Sequence, residues 1–221
     1  MEKIDYESKV KHYCGSSIAL FVGKYFKPNQ KILDIGCGVG NLGEFLKKKF
    51  NSVIYGIDIS KTAINEAKKK LDFVKRLDIE KEDPNFKPCF FDVIVMTDVL
   101  EHLVNPKEIL LKYKKYLKDN GYFVLVVPNI ASIKIRLHLL SGKFDYANSG
   151  ILDSSHLRFF TKKSIAKMIH NSNLNIILWD YIPDYFLQSV IGIRLVMFFN
   201  NLITKIRPTM FAKQFIIICK K

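Results

Sequence analysis

Long apolar runs are missing from this chain. None approaches the about 18–20 residues that a bilayer-spanning helix needs; the nearest, VIGIRLVMFF, carries Arg194 in its middle. Cysteine is sparse. Cys14, Cys37, Cys89 and Cys219 lie far apart, with no pair at metal or redox spacing. That excludes a disulfide framework and points to a reducing compartment. The opening MEKIDYESKV is charged and lacks an apolar h-region, so no secretory signal is expected. The expected location is cytoplasmic, with peripheral contact at the inner face of the membrane as an extension. Acidic residues are few: 21 Asp+Glu against 35 Lys+Arg, a formal net charge of +14. Such a balance favours anionic partners, although the lysines spread over helix faces and Lys, Ile and Asn are abundant throughout. Repeats, low-complexity tracts and linkers are absent too, so residues 1–221 read as a single domain with a full core.

What is present is an alternation of strand and helix patterns from residue 30 to about 127. KILDIG is a strand, and NLGEFLKKKF sets Leu42, Phe45, Leu46 and Phe50 on one helical face. SVIYGIDIS is a strand, and KTAINEAKKKL a helix with Ala63, Ile64, Ala67 and Leu71 inward. DFVKRLDI and FFDVIVMTD are the third and fourth strands, the fourth apolar on both faces as a buried parallel strand should be. Asn105 and Pro106 open a helix as N-cap and first-turn residue, and GYFVLVVPN is a fifth strand. The expected fold is α/β: a Rossmann-like doubly wound sheet, mostly parallel, with helices on both faces. After residue 130 a helix and a loop lead to Thr161, which caps KKSIAKMIHNS. LNIILWDY and FAKQFIIICK form a final hairpin, with a helical insertion between them.

The stretch KILDIGCGVG, residues 31 to 40, asks for a ligand. A P-loop would need Gly-Lys-Ser/Thr at its end, and none follows. A dinucleotide fingerprint starting at Gly36 would need glycine at position 41, which is Asn. The pattern present is Asp34-x-Gly36-x-Gly38-x-Gly40. A carboxylate at Asp34 would repel a pyrophosphate and suits a cationic amine or ordered water. Asp58 ends the second strand, where an acid accepts hydrogen bonds from ribose hydroxyls. Asp78 ends the third, where it can take the exocyclic amine of adenine with Ile79 flanking the ring. Adenine, ribose and an ammonium without phosphate describe S-adenosylmethionine. The competing reading for Asp34 and Asp58 is a turn or helix-cap acid.

ILDIGCGVG, YGIDIS, LDI and FDVIVMTDVLEHLVNP, in this order and spacing, resemble the class I S-adenosylmethionine-dependent methyltransferases. Within them the chain is similar to the ubiquinone-biosynthesis O-methyltransferase branch. The resemblance covers roughly residues 10–130. It implies a seven-stranded sheet whose last strand inserts antiparallel between the fifth and sixth. It also implies that Gly36, Gly38 and Gly40 let the backbone approach the methionine part, and that Asp34 holds its amine directly or through water. Asp58 would take ribose and Asp78 adenine, with Asn41, Ile59 and Ile79 in the same pocket. The Met96–Thr97 backbone would face the ammonium. An N-terminal helical cover over residues 1–29 would bring Tyr13, beside His12, to the cofactor. DSSHLRFFTKKS adds a second, shorter resemblance, to bacterial methyltransferases associated with surface-glycan synthesis. It implies a sugar hydroxyl of a glycan, or of its activated or lipid-linked precursor, as acceptor.

Methyl transfer to a hydroxyl needs alignment and removal of one proton. His102 and His156 are the candidate bases. The competing reading for His102 is packing or capping, and for His156 a loop histidine holding Arg158 or backbone. Arg158 matches a substrate phosphate or carboxylate bidentately, or else forms a salt bridge with Asp153 or Glu101. Glu101 is a candidate for positioning a histidine or the acceptor. His138 and His170 read as solvated, and Cys37 as a small filler. No metal is required; Asp98 and Asn129 alone do not complete a magnesium site. Residues 130–160 and 183–212 are the substrate-side insertions. Within the second, an apolar stripe over 184–207 is a substrate lid or membrane-interface helix, against a helix packed on the core or on a second subunit of a homodimer.

The leading function is thus O-methylation of a sugar or related small acceptor, anionic if the charge is functional. The alternatives are a quinone or other small-molecule O-methyltransferase, and a non-catalytic cofactor-binding scaffold. The sequence after strand four, MTDVLEH, lacks the Asn-Pro-Pro-aromatic type that holds a flipped base, which argues against nucleic acid.

Overall fold

The computed structural model describes residues 15–184 and 202–221. His12 and Tyr13, and all but the two ends of the 184–207 stripe, lie outside the described residues. One seven-stranded sheet runs in the order β3-β2-β1-β4-β5-β7-β6. β1 (Lys31–Ile35), β2 (Val53–Asp58), β3 (Phe73–Arg76), β4 (Phe91–Thr97) and the paired part of β5 (Leu117–Pro128) are parallel. β7 (Ala212–Lys220) pairs antiparallel with both β5 and β6 (Asn175–Pro183). The final hairpin therefore places its second strand inside the sheet, as the resemblance implied.

Alternation along each central strand explains the two-sided core. Leu33, Ile35, Ile94, Met96, Phe123, Leu125, Phe215 and Ile217 face one side. There they meet Ile109, Leu110 and Tyr113 of α4 (Pro106–Lys114) and Ile165 and Ile169 of α6 (Lys162–Asn171). Ile32, Ile54, Val93, Val95, Val124 and Ile216 face the other side. They pack on α1 (Gly15–Val22), α2 (Asn41–Phe50) and α3 (Lys61–Ala67) through Ala19, Val22, Leu42, Leu46, Ile64 and Ala67. Each fully buried Ile or Leu contributes about 1.5–3 kcal/mol, so these strands are held from both faces. α5 (Ile133–Leu140) buries Ile135 and leaves Leu137, Leu139 and Leu140 exposed.

Several local expectations are corrected. The third strand is shorter than DFVKRLDI, because mostly exposed Phe73–Arg76 forms a sheet edge with little apolar surface to extend it. Asp78 thus lies beyond the strand rather than at its end. The helix after β2 stops at Ala67, and Leu71 reaches the core from the turn that follows. Asn105 makes no side-chain cap. Instead Glu80 reaches across, its Oε1 accepting from the N–H groups of Val104 at 3.0 Å and Asn105 at 3.1 Å. Thr161 does cap α6: its Oγ1 accepts from Ser164 N–H at 3.2 Å, and Ser164 Oγ accepts from Thr161 N–H at 2.9 Å.

Candidate active site

β1 and β4 are parallel neighbours, with Ile35 opposite Met96. Their carboxyl ends therefore emerge side by side, which is where an open α/β sheet binds ligands. Past β1 the chain turns through Gly36 and Gly40, with φ of 73° and 80°. At Gly36 a Cβ would lie 2.4 Å from Val99 Cγ2, so only hydrogen fits between the loop and the segment after β4. Cys37 is buried and sits in the space left by Gly56, where an added Cβ would lie 2.8 Å from its sulfur. Burial, then the charges of Asp34 and Asp58, hold its thiol well above the usual range, which leaves it a filler rather than a nucleophile.

Asp34 is 1% exposed, and among the described residues neither carboxylate oxygen has a hydrogen-bond partner. Burial first, then the charge of Asp58, push it up to about 8. A buried acid without a partner is costly unless a ligand supplies one. Asp58 is different. Its Oδ2 accepts from Gly38 N–H at 2.8 Å and its Oδ1 from Ser60 N–H at 2.9 Å, so the carboxylate closes the glycine loop and orders the turn into α3. Asn41 begins α2 and accepts from Lys70 Nζ at 2.6 Å. Asp78 accepts from Lys81 Nζ at 2.7 Å and from Glu80 N–H at 3.1 Å. Burial raises it, but these bonds outweigh burial and leave it below the usual range. Ile59 and Ile79 are half-buried near the ends of β2 and β3, their carbonyls accepting from Arg76 at 3.0 Å and Lys112 at 2.8 Å. Met96 is fully buried, and Thr97, half-buried, ends β4.

Beyond β4, Asp98 adopts a left-handed φ of 54°. Its Oδ1 accepts from Gln214 Nε2 at 2.6 Å, on β7. Glu101 is wholly buried, and burial followed by the charge of Asp98 raises it well above the ordinary carboxylate range. Glu101 lies in a single 3-10 turn, Leu100–His102. Its carbonyl accepts from the N–H groups of Leu157 at 2.8 Å and Arg158 at 2.9 Å. Arg158 is exposed and gives its Nε and Nη2 to the carbonyl of Val104, at 3.2 and 2.7 Å. That is neither of the salt bridges considered for it: the guanidinium fastens the HLRFF segment onto the turn after β4.

The docking brings the two histidines together. Their rings lie 4.8 Å apart, edge to face at 72°. His102 Nδ1 is 3.2 Å from both the carbonyl and the hydroxyl of Ser155. His156 Nδ1 is 2.9 Å from the carbonyl of Ile151. One donor atom each from Glu101, His102 and His156 lie within 4.8 Å of one another. This set could share a proton, and it is also of a size and chemistry to hold a divalent ion; sequence spacing alone, with His156 far along the chain, did not reveal it. Asp98, Asp153, Ser155 and Gln214 are the polar residues that the sequence reading left without a place in the site. The Asp-x-x-Glu-His run and the acid and serines before His156 were their visible signals.

A glycine loop with a buried acid before it, at the β1/β4 switch point of a seven-stranded sheet with an inserted antiparallel strand, defines the fold of class I S-adenosylmethionine-dependent methyltransferases. The chain belongs to the methyltransferase domain family, whose model matches residues 6–178. S-adenosylmethionine is the cofactor of this class, and the orphaned carboxylate of Asp34 fits its ammonium. Among curated relatives, the chain is 34% identical over 150 residues to the mitochondrial ubiquinone biosynthesis O-methyltransferase of Schizosaccharomyces pombe, covering 60% of this chain and 54% of that protein. It is 30% identical over 99 residues to phosphoethanolamine N-methyltransferase 1 of Arabidopsis thaliana, covering 43% of this chain and 20% of the other. The chain thus spans about half the length of the first relative, or less of the second. A solved S-adenosylmethionine-dependent methyltransferase from Archaeoglobus fulgidus superposes with a TM-score of 0.70 at 20% identity, over 98% of this chain and 100% of the other. The [4+2]-cyclase SpnF has the same fold, with a TM-score of 0.62 at 13% identity over 93% and 80% of the two chains. Fold alone does not choose the reaction.

Proposed function

We propose that this chain methylates a hydroxyl of a small acceptor, with the acid–histidine cluster after β4 as its proton-handling centre. The observation that carries the reading is the convergence of Glu101, His102 and His156 within 4.8 Å, beside the loop that packs on Val99. The cofactor, when bound, supplies the activated methyl group. The chain's own residues do the rest: Asp34 holds the ammonium, Asp58 fixes the loop and offers itself to ribose, and His102 or His156 takes the acceptor's proton.

The acceptor we favour is a sugar hydroxyl on a surface glycan or its activated precursor. Its support is the likeness of DSSHLRFFTKKS to glycan-associated methyltransferases, and this segment forms one wall of the cluster. A phenolic, quinone-type acceptor is the second reading, favoured by the relative named for ubiquinone biosynthesis. The test is transfer of labelled methyl to a panel of nucleotide sugars, lipid-linked sugars and catechols. Labelled sugar supports the first reading, labelled catechol the second. Labelling of none, with the cofactor bound at micromolar affinity, would favour a scaffold. For whichever acceptor is labelled, the His102→Gln and His156→Gln variants should lose turnover while keeping cofactor affinity; full rate in both would remove them as bases.

A further inference from the structure

Ser155 sits in a turn closed by His156 N–H donating to the Asp153 carbonyl at 3.0 Å. Asp153 and Ser155 are both buried. Ser155 gives its hydroxyl proton to Asp153 Oδ1 at 2.6 Å, and its N–H reaches the same oxygen at 2.8 Å. With its proton committed, the hydroxyl can only accept on its other side, and the carbonyl of Ser155 can only accept in any case. His102 Nδ1 faces both, each at 3.2 Å. That nitrogen must therefore carry hydrogen, and in the neutral ring the lone pair falls to Nε2. Free neutral imidazole side chains favour the opposite tautomer, so the arrangement acts against an intrinsic preference. The turn is also anchored downstream, where Leu157 and Arg158 bond the carbonyl of Glu101. His102 and its tautomer-setting partner are thus tied to one another through two separate sets of bonds.

We propose that Asp153 and Ser155 are positioning residues that hold His102 in the Nδ1–H tautomer, with the ring's lone pair on Nε2. The catalytic part of this rests on the reading of His102 as the acceptor's base; the tautomer part does not. Neither residue touches the reacting atoms. They act through the imidazole, as the buried acid of a hydrolase triad does for its histidine. The distant Asp153–Arg158 segment then serves a definite purpose in the reaction: it sets which ring nitrogen is basic and holds that ring on the turn after β4.

The test reads the ring directly. Protein labelled with 15N at histidine, without acceptor, is examined by long-range proton–nitrogen correlation, and H102Q identifies the His102 signals. The wild-type ring should show a protonated Nδ1 and an unprotonated Nε2. Asp153→Ala frees the Ser155 hydroxyl to donate to Nδ1 and should move the ring toward the other tautomer, whereas Ser155→Ala, which leaves the carbonyl as acceptor, and Ser155→Thr, which keeps the hydroxyl, should not. In turnover, D153A should lower kcat about 10-fold or more, within the range that general-base catalysis supplies, while cofactor affinity stays at the wild-type value and S155T retains rate. A wild-type ring protonated at Nε2, or an unchanged tautomer in D153A, overturns the proposal. So does a changed tautomer in D153A with undiminished kcat where H102Q loses turnover. If H102Q keeps full turnover while the tautomer responds as expected, the base assignment fails and the lock stands as a structural device, so the two failures are told apart.

Discussion

Asp34 shows how much one side chain can carry. Its carboxyl is pushed up to about 8 by burial and then by Asp58, so near neutral pH the folded chain holds a proton that the unfolded chain has released. Stability from this group is therefore lost as pH rises from about 4 toward 8. Asp34→Asn should be more stable than wild type without cofactor, by about 1–3 kcal/mol, and its advantage in thermal melts should grow between pH 5 and 8. A constant difference would mean Asp34 is already ionised. The same proton links to binding. An ammonium beside Asp34 favours its charged form, so binding of S-adenosylmethionine at pH 7 should release protons, and affinity should rise with pH up to about 8. Calorimetry in buffers of different ionisation enthalpy measures that release directly. A partner for Asp34 was legible from its place before the glycines; that no group among the described residues supplies one was not, because that depends on which donors the folded chain sets around it.

The elements hold the site through contacts between loops rather than within them. Gly36 and Val99 come from different strands and meet where a methyl group would not fit. Gly36→Ala carries about 1 kcal/mol or more of backbone strain at its positive φ, plus the clash. It should abolish cofactor binding and shift the turn that bears Glu101 and His102. Adding Val99→Ala should restore part of the stability lost in urea unfolding, whereas strictly additive losses would show that the two residues are not coupled. Helices and central strands were readable because their apolar periods are long and uninterrupted. β3 was read too long, and Asn105 was given a cap it does not make, because edge exposure and the reach of Glu80 are not written in local pattern.

Taken whole, the molecule is strongly basic, and among the described residues no helix is long and apolar enough to cross a membrane. If the acceptor is anionic, as that charge favours, its KM should rise with added salt while the affinity for S-adenosylmethionine changes little. Equal salt sensitivity of both ligands would make the charge compositional. The seven-stranded sheet with its inserted final strand is the frame that makes the rest work. It brings Gln214 of β7 onto Asp98, and the segment before α6 onto the turn after β4.

Sheet, helices and the glycine loop were already present in the order of residues, since alternation, helical period and the glycine–acid spacing are local properties of a chain. The pairing of His102 with His156, the bond from Gln214 to Asp98, and the backbone partner of Arg158 were not. They arise between residues far apart in sequence, and each depends on which carbonyl or hydroxyl the folded chain happens to set within hydrogen-bond reach.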